Sequence, residues 1–164
     1  MRIKPDYAEA HDNLGIALFQ LGRVPEAMQQ YEQAWRIDPH IASAHYDMGV
    51  ALLQTGRVPE AREQFEQALQ LNPNYAEAHN NLGSVLWQMG RQSEAIGQFE
   101  QSLQINPHNA GAHYNLAYAL QLTGHTPEAI QQYEEALQIQ PDFAAARNNL
   151  TRLQALQKTA PPKN

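Results

Sequence analysis

A proline returns every 34 residues, at Pro5, Pro39, Pro73, Pro107 and Pro141. A fixed period of this size restricts a chain to stacked copies of one supersecondary unit, because no single copy can bury its own apolar face. Other columns keep the interval: Gly22, Gly56, Gly90 and Gly124; Ala27, Ala61, Ala95 and Ala129; Tyr31, Phe65, Phe99 and Tyr133; His11, His45, His79 and His113. Four repeats follow, at 8 to 41, 42 to 75, 76 to 109 and 110 to 143. Residues 1 to 7 read as the remnant of a preceding repeat, with Ile3, Pro5 and Tyr7 in register with Ile37, Pro39 and Ile41. Either the chain is an excerpt of a longer array or something else covers its first helix. Residues 144 to 158 read as a capping helix in which Arg147, Arg152 and Gln154 give a polar outer face, and 159 to 164 as a disordered tail.

Within each repeat, apolar residues recur at helical spacing on both sides of the central glycine, as in Leu14, Leu18 and Leu21, then Ala27, Tyr31, Ala34 and Trp35. The glycine suits a left-handed position ending the first helix. Pro25, Pro59 and Pro127 suit the first turn of the second, where a missing N–H costs no helical bond. The residue after each repeat proline is placed to cap the next helix, and Asp6 with Glu9, and Asn74 with Glu77, have capping-box spacing. Glu26, Glu60, Glu94 and Glu128 open the second helices, where an acid interacts favourably with the positive end. Ala10, Gly15, Ala27 and Ala34 are slim sites that let helices approach, with Leu14, Leu18 and Tyr31 filling the space opposite.

Composition excludes several chemistries. The 164 residues include no cysteine, which removes disulfides, thiolate metal sites and thiol catalysis. A net charge of -6 disfavours a nucleic-acid partner. No run approaches the roughly 20 apolar residues of a membrane span, and no signal peptide opens the chain, so the expectation is a soluble, cytoplasmic protein without membrane insertion. No G-x-S-x-G or phosphate-binding glycine loop occurs, and no enzyme is expected. The Asn149-Leu150-Thr151 sequon falls in a helical pattern and reads as chance. No metal or other cofactor is expected either. The four repeat histidines sit one per unit, about 8–10 Å apart at least, whereas two zinc ligands lie within about 4 Å. They read instead as packed rings on a core-facing column at the helix-pair contact, where buried neutral rings would make acidification destabilising.

Ala76-Glu77-Ala78-His79-Asn80-Asn81-Leu82-Gly83, followed by Gly90, Ala95, Phe99 and Pro107, resembles the signature of the tetratricopeptide repeat family over essentially the whole chain. His79 stands where that family often has tryptophan, and Leu18, Leu52, Leu86 and Leu120 where it often has tyrosine. Repeats of this type are similar to those of O-linked N-acetylglucosamine transferases and of bacterial repeat-only proteins. The resemblance implies an all-α, right-handed superhelical solenoid of stacked helix-turn-helix units whose first helices line a concave face, and it implies a protein or peptide partner.

Family geometry carried onto this chain puts Asp12, Ile16 and Phe19, then Tyr46, Val50 and Leu53, then Asn80, Ser84 and Trp87, then Tyr114, Tyr118 and Gln121 on that face. Phe19, Leu53 and Trp87 form an apolar stripe beside Tyr46, Tyr114 and Tyr118. Trp87 and Tyr118 read as binding anchors. Ile16, Val50 and Leu53 read equally well as packing against the next repeat. Asn13, Asp47, Asn81, Asn115 and Asn149 form a polar ladder on the same face. An amide offers donor and acceptor to an extended backbone, the use implied by the transferase resemblance; equally, it can bond the neighbouring helix.

Members that grip a C-terminal carboxylate do so with lysine and arginine, but position 2 here reads Glu9, Ser43, Glu77 and Gly111. Asp12 and Asp47 oppose such a terminus, so a neutral or basic partner is expected. The expected function is a non-catalytic scaffold binding an extended peptide or partner helix. The alternatives are self-assembly through the uncovered N-terminal face and the C-terminal helix, or service as the recognition arm of a larger enzyme such as a glycosyltransferase.

Overall fold

A computed structural model describes residues 6–159. The described residues form helices and connecting turns, with no strand. The helices are α1 Asp6–Gln20, α2 Val24–Ile37, α3 Ala42–Gln54, α4 Val58–Leu71, α5 Ala76–Gln88, α6 Gln92–Ile105, α7 Ala110–Leu122, α8 Thr126–Ile139 and α9 Ala144–Thr159. Each odd helix from α1 to α7 packs on the even helix after it, and each even helix on the odd one that follows. All substantial contacts join elements one or two apart along the chain, so the chain is a solenoid of hairpins with its core running between successive pairs. The expectations for residues 1 to 5 and 160 to 164 lie outside the described residues.

The punctuation is local. Gly22, Gly56, Gly90 and Gly124 have φ between 75 and 85°, and the backbone N–H after each glycine reaches back to the carbonyl of Leu18, Leu52, Leu86 or Leu120 at 2.9 Å. The loop therefore closes only where a residue tolerates the left-handed region. Pro25, Pro59 and Pro127 sit in the first turns of α2, α4 and α8. Glu26, Glu60 and Glu94 pair with Arg23, Arg57 and Arg91, three residues earlier. Hydrogen bonds from these guanidiniums, and for Glu60 first of all from its own backbone N–H, hold each carboxyl below its usual range.

The capping boxes do not form as expected. The N-caps of α3, α5 and α7 are Ile41, Tyr75 and Asn109, two residues beyond each proline rather than one, and only Asn109 caps with its side chain, to the Ala112 N–H at 3.0 Å. Asp38, Asn72 and Asn106 instead accept the N–H two residues on, at His40, Asn74 and His108. These Asx turns redirect the chain before the next helix begins. The side chain of Asp6 lies outside what is described.

Between paired helices, an aromatic ring meets a missing side chain. A Cβ on Gly83 would stand 2.6 Å from Phe99 Cε1, and one on Gly49 would stand 2.7 Å from Phe65 Cε1. Phe65, Phe99, Tyr31 and Tyr133 are buried, as are Ala27, Ala61, Ala95 and Ala129. Each ring contributes about 1.5–3 kcal/mol by burial. Two of the slim-and-large assignments change at the first helix. Leu14 is 48% exposed, whereas its equivalents Met48, Leu82 and Leu116 are 4–5% exposed beneath the preceding even helix; Ala10 is exposed for the same reason. No described helix precedes α1.

The histidine column also differs from expectation. The rings of His11, His45, His79 and His113 are half-buried, not core groups. Each Nδ1 shares a hydrogen bond of 2.7–2.8 Å with the side-chain amide of Gln30, Gln64, Gln98 or Gln132 on the paired helix. Nε2 of His79 and His113 donates to the carbonyls of Pro73 and Pro107 at 3.0 Å. In α9 the Arg147 guanidinium donates to the equivalent carbonyl, that of Pro141. Arginine thus takes over part of the histidine's role instead of serving only a solvated cap. The premise of a buried ring, on which acid destabilisation rests, is not met.

Candidate functional site

The odd helices are tied to one another along one face. Ser43 on α3 donates its hydroxyl to Asp12 Oδ2 on α1 at 2.5 Å. Asn81 on α5 donates from Nδ2 to the Tyr46 hydroxyl on α3 at 3.2 Å, and Asn115 on α7 donates to Asn80 Oδ1 on α5 at 3.0 Å. Every bond joins a residue of one odd helix to its predecessor, because helices of similar length and identical turns repeat the same register.

This geometry separates the two readings of the polar ladder. Asn81 and Asn115 each use an amide hydrogen on the neighbouring odd helix, and Asn149 uses one on the Tyr133 hydroxyl of α8 at 3.2 Å. The amide oxygens of Asn81, Asn115 and Asn149 make no side-chain hydrogen bond among the described residues, so an acceptor remains at each. Asn13 is exposed. Asp12 departs from its expected place: it is only 6% exposed, with the Ser43 hydroxyl of α3 bonded to it. Burial raises its pKa, and the Ser43 hydroxyl opposes that rise.

The aromatics form two groups. Tyr46 lies 4.8 Å from the Tyr75 ring and 5.8 Å from Phe65. Tyr114 lies 4.9 Å from Phe143, 5.8 Å from Tyr133 and 6.4 Å from Tyr118. Tyr46 and Tyr114 are thus partly committed to neighbouring rings. Ile16, Phe19, Val50, Leu53 and Trp87 are half-buried and pack against the core. For Ile16, Val50 and Leu53 this is the packing role; Phe19 and Trp87 are less open than the apolar-stripe reading implies. Tyr118 is 39% exposed.

Trp87 and Tyr118 meet edge to face at a centroid distance of 6.5 Å. Between them opens a cleft of about 180 Å³ lined by Ser84, Trp87, Gln88, Phe99, Asn115 and Tyr118. The structure therefore brings together four residues expected on this face, Ser84, Trp87, Asn115 and Tyr118, from α5 and α7. It adds Phe99 as a wall contributed by α6, and Gln88. The sequence pattern places Phe99 wholly in the core; the missing Cβ of Gly83, which lets that ring approach α5, is the signal that could have found it. Chemically the cleft offers aromatic walls, a hydroxyl and two amides, the means to hold an apolar or amphipathic side chain beside a backbone. Among the described residues, no three His, Asp or Glu side chains converge as a metal site, and no helix is long and apolar enough to cross a membrane.

Comparison with known proteins bears on the fold. A search of curated protein sequences returned no match. Solved structures similar to this chain include MamA 41-end from Desulfovibrio magneticus RS-1, 23% identical over 93% of this chain and 86% of that one, TM-score 0.81. Pseudomonas aeruginosa pilF is 22% identical over 93% and 70%, TM-score 0.86. YrrB, described as "a TPR protein with an unusual peptide-binding site", is 22% identical over 90% and 76%, TM-score 0.76. Tetratricopeptide repeat profiles match residues 15–56, 46–110 and 86–153. With its 34-residue units, glycine-closed hairpins and stacked odd helices, the chain belongs to the tetratricopeptide repeat family.

Proposed function

We propose that the protein is a non-catalytic interaction scaffold that holds an extended polypeptide along the face formed by α1, α3, α5 and α7. The observation that carries this reading is the Trp87–Tyr118 cleft, where two aromatic walls and the Asn115 amide adjoin an unfilled space of about 180 Å³. An aromatic wall gives contact area at small entropic cost, and the amide oxygen can take a peptide N–H. The YrrB description supports a peptide as the class of guest. Affinity is set in roughly the micromolar range, since a shallow groove leaves much of the ordering cost unreturned. The partner is neutral or basic, and nucleic acid is not a partner, given the net charge of -6.

Screening the protein against an arrayed library of extended peptides tests this. Trp87→Ala and Tyr118→Ala should each weaken the peptides selected by at least about 1 kcal/mol while leaving the helical circular dichroism unchanged. Undiminished binding by both variants places the contact elsewhere.

A second reading rests on a different observation. Leu14 of α1 is 48% exposed, whereas its equivalents Met48, Leu82 and Leu116 are buried, so α1 keeps an apolar edge of the kind that even helices cover elsewhere in the molecule. Self-assembly through this edge would raise the mass seen by light scattering with concentration, and Leu14→Glu would abolish the rise. A constant monomer mass would dismiss this reading.

A further inference from the structure

The odd helices meet in a fixed register: position 47, 81 or 115 of one helix stands against the residue 35 places earlier. At two of these rungs a hydrogen bond fills the contact, Asn81 to Tyr46 and Asn115 to Asn80. The same offset pairs Asp47 with Asp12, whose charge acts on it, and two ionised carboxylates have no hydrogen to share. Asp12 is more than nine-tenths buried. Its Oδ2 accepts the Ser43 hydroxyl, while Oδ1 is buried without a partner among the described residues. Asp47 is half-buried and makes no side-chain hydrogen bond among the described residues.

The groups whose charge reaches this pair do not neutralise it. Glu9 on α1 acts on Asp12. The phenols of Tyr31 on α2, Tyr46 on α3 and Tyr75 before α5 feel the Asp47 charge, and Tyr46 and Tyr75 also feel Glu77 on α5. All are acids or phenols. A desolvated carboxylate pair in such surroundings must hold a proton or receive a cation. Two carboxylates without a third donor suit an organic cation better than a metal ion.

We propose that the Asp12–Asp47 rung seats one cationic group of the polypeptide held in the groove, an ammonium or a guanidinium, which supplies the hydrogens this rung alone lacks. The inference rests on the groove reading above. Asp47, the half-exposed member, makes the contact, and Asp12 behind it adds its field. Burial and the Asp12 charge push Asp47 up to about 7, so the proton that occupies the rung in mild acid is displaced by the guest's cation, and the preference for that cation grows with pH.

The test is fluorescence anisotropy with labelled twelve-residue peptides of neutral sequence, in which one residue at a time is Lys, Arg or Gln. The amino termini are acetylated or free, and titrations run at pH 6 and 8. The expected result is one position where Lys or Arg binds at least about tenfold more tightly than Gln at pH 8. The ratio should shrink at pH 6 and vanish in Asp47→Asn, a change to the residue already present at rungs 81 and 115. Trp87→Ala should weaken all peptides and leave the Lys-to-Gln ratio in place. A gain seen only with free amino termini identifies the guest's terminal amine as the cation. Binding with no cationic preference, or a preference that survives Asp47→Asn or ignores pH, overturns the proposal and spares the groove. No binding by any peptide removes the groove reading and this inference with it.

Discussion

The Asp12 charge acts on Asp47 across the same 35-residue offset at which Asn81 bonds Tyr46 and Asn115 bonds Asn80, so this rung is made of two carboxylates where the next two are hydrogen-bonded. Both pKa values are raised, that of Asp47 to about 7, chiefly by burial and then by the Asp12 charge.

The sign of the stability effect follows. A carboxyl with a folded pKa above its unfolded value of about 3.9 binds its proton more tightly when folded. Its contribution is full below about pH 4 and is lost as pH rises through about 7. Asp47→Asn should therefore stabilise the protein at pH 8 by about 1–2 kcal/mol, a figure reduced for solvent screening of a half-exposed group. At pH 4 it should do little. Urea midpoints of the two proteins across pH 4–8 check this. A difference that stays constant with pH would mean that folding does not raise the Asp47 pKa.

Gly83 and Gly90 are glycines for different reasons. At Gly90 a methyl would find nothing within 4 Å, and φ is 77°, so Gly90→Ala should cost about 1 kcal/mol through backbone strain alone, with Gly90→Asn costing less. At Gly83 the backbone is helical and the methyl would meet Phe99 at 2.6 Å and the Ala95 carbonyl at 3.1 Å. Gly83→Ala should cost about 1–3 kcal/mol by overpacking, with Asn no better than Ala. Thermal unfolding of the four variants separates strain from crowding by the rank of Asn.

The histidine–glutamine bonds link the two helices of each hairpin. A double-mutant cycle of His79→Ala and Gln98→Ala should give a coupling of about 0.5–1.5 kcal/mol, and a pair without direct contact, His79 with Gln64, should give about zero. Equal couplings would show that the 2.7 Å separation contributes nothing specific.

Replacing Arg147 tests whether arginine stands in for histidine at the start of α9. Arg147→Ala should speed amide exchange in the first turns of α9 several-fold while leaving α5 unaffected, since its bond to the Pro141 carbonyl is local. Arg147→His should restore part of the protection, as His79 and His113 bind the equivalent carbonyls. Protection unchanged in Arg147→Ala would leave the residue as a surface charge only.

The hairpins were legible because their determinants are local and repeated: Gly90 at positive φ, Pro59 in a first turn, Phe99 opposite Gly83. The caps were less so. Asn74 and Glu77 have the spacing of a capping box, yet Asn72 spends its side chain on the Asn74 N–H and shifts the N-cap to Tyr75; an Asx turn and a cap use the same residue types, and only the path of the chain decides between them.

The face of the odd helices was legible by column and not by partner. Sequence spacing puts Asn81 and Asn115 there, but their acceptors depend on the rise between hairpins, which brings in Tyr46 and Asn80. The burial of Asp12 has the same source: no property of Asp12 itself announces that Ser43, 31 residues on, will bond to it. Trp87 and Tyr118 belong to different repeats, so their cleft exists only once two hairpins stack.

Since substantial contacts reach no further than two helices along the chain, nothing among the described residues braces one end of the spiral against the other. Its pitch is the sum of the small rotations from one hairpin to the next. A guest spanning several rungs would set that pitch as it settled, so the protein would weigh the guest's length as well as its chemistry.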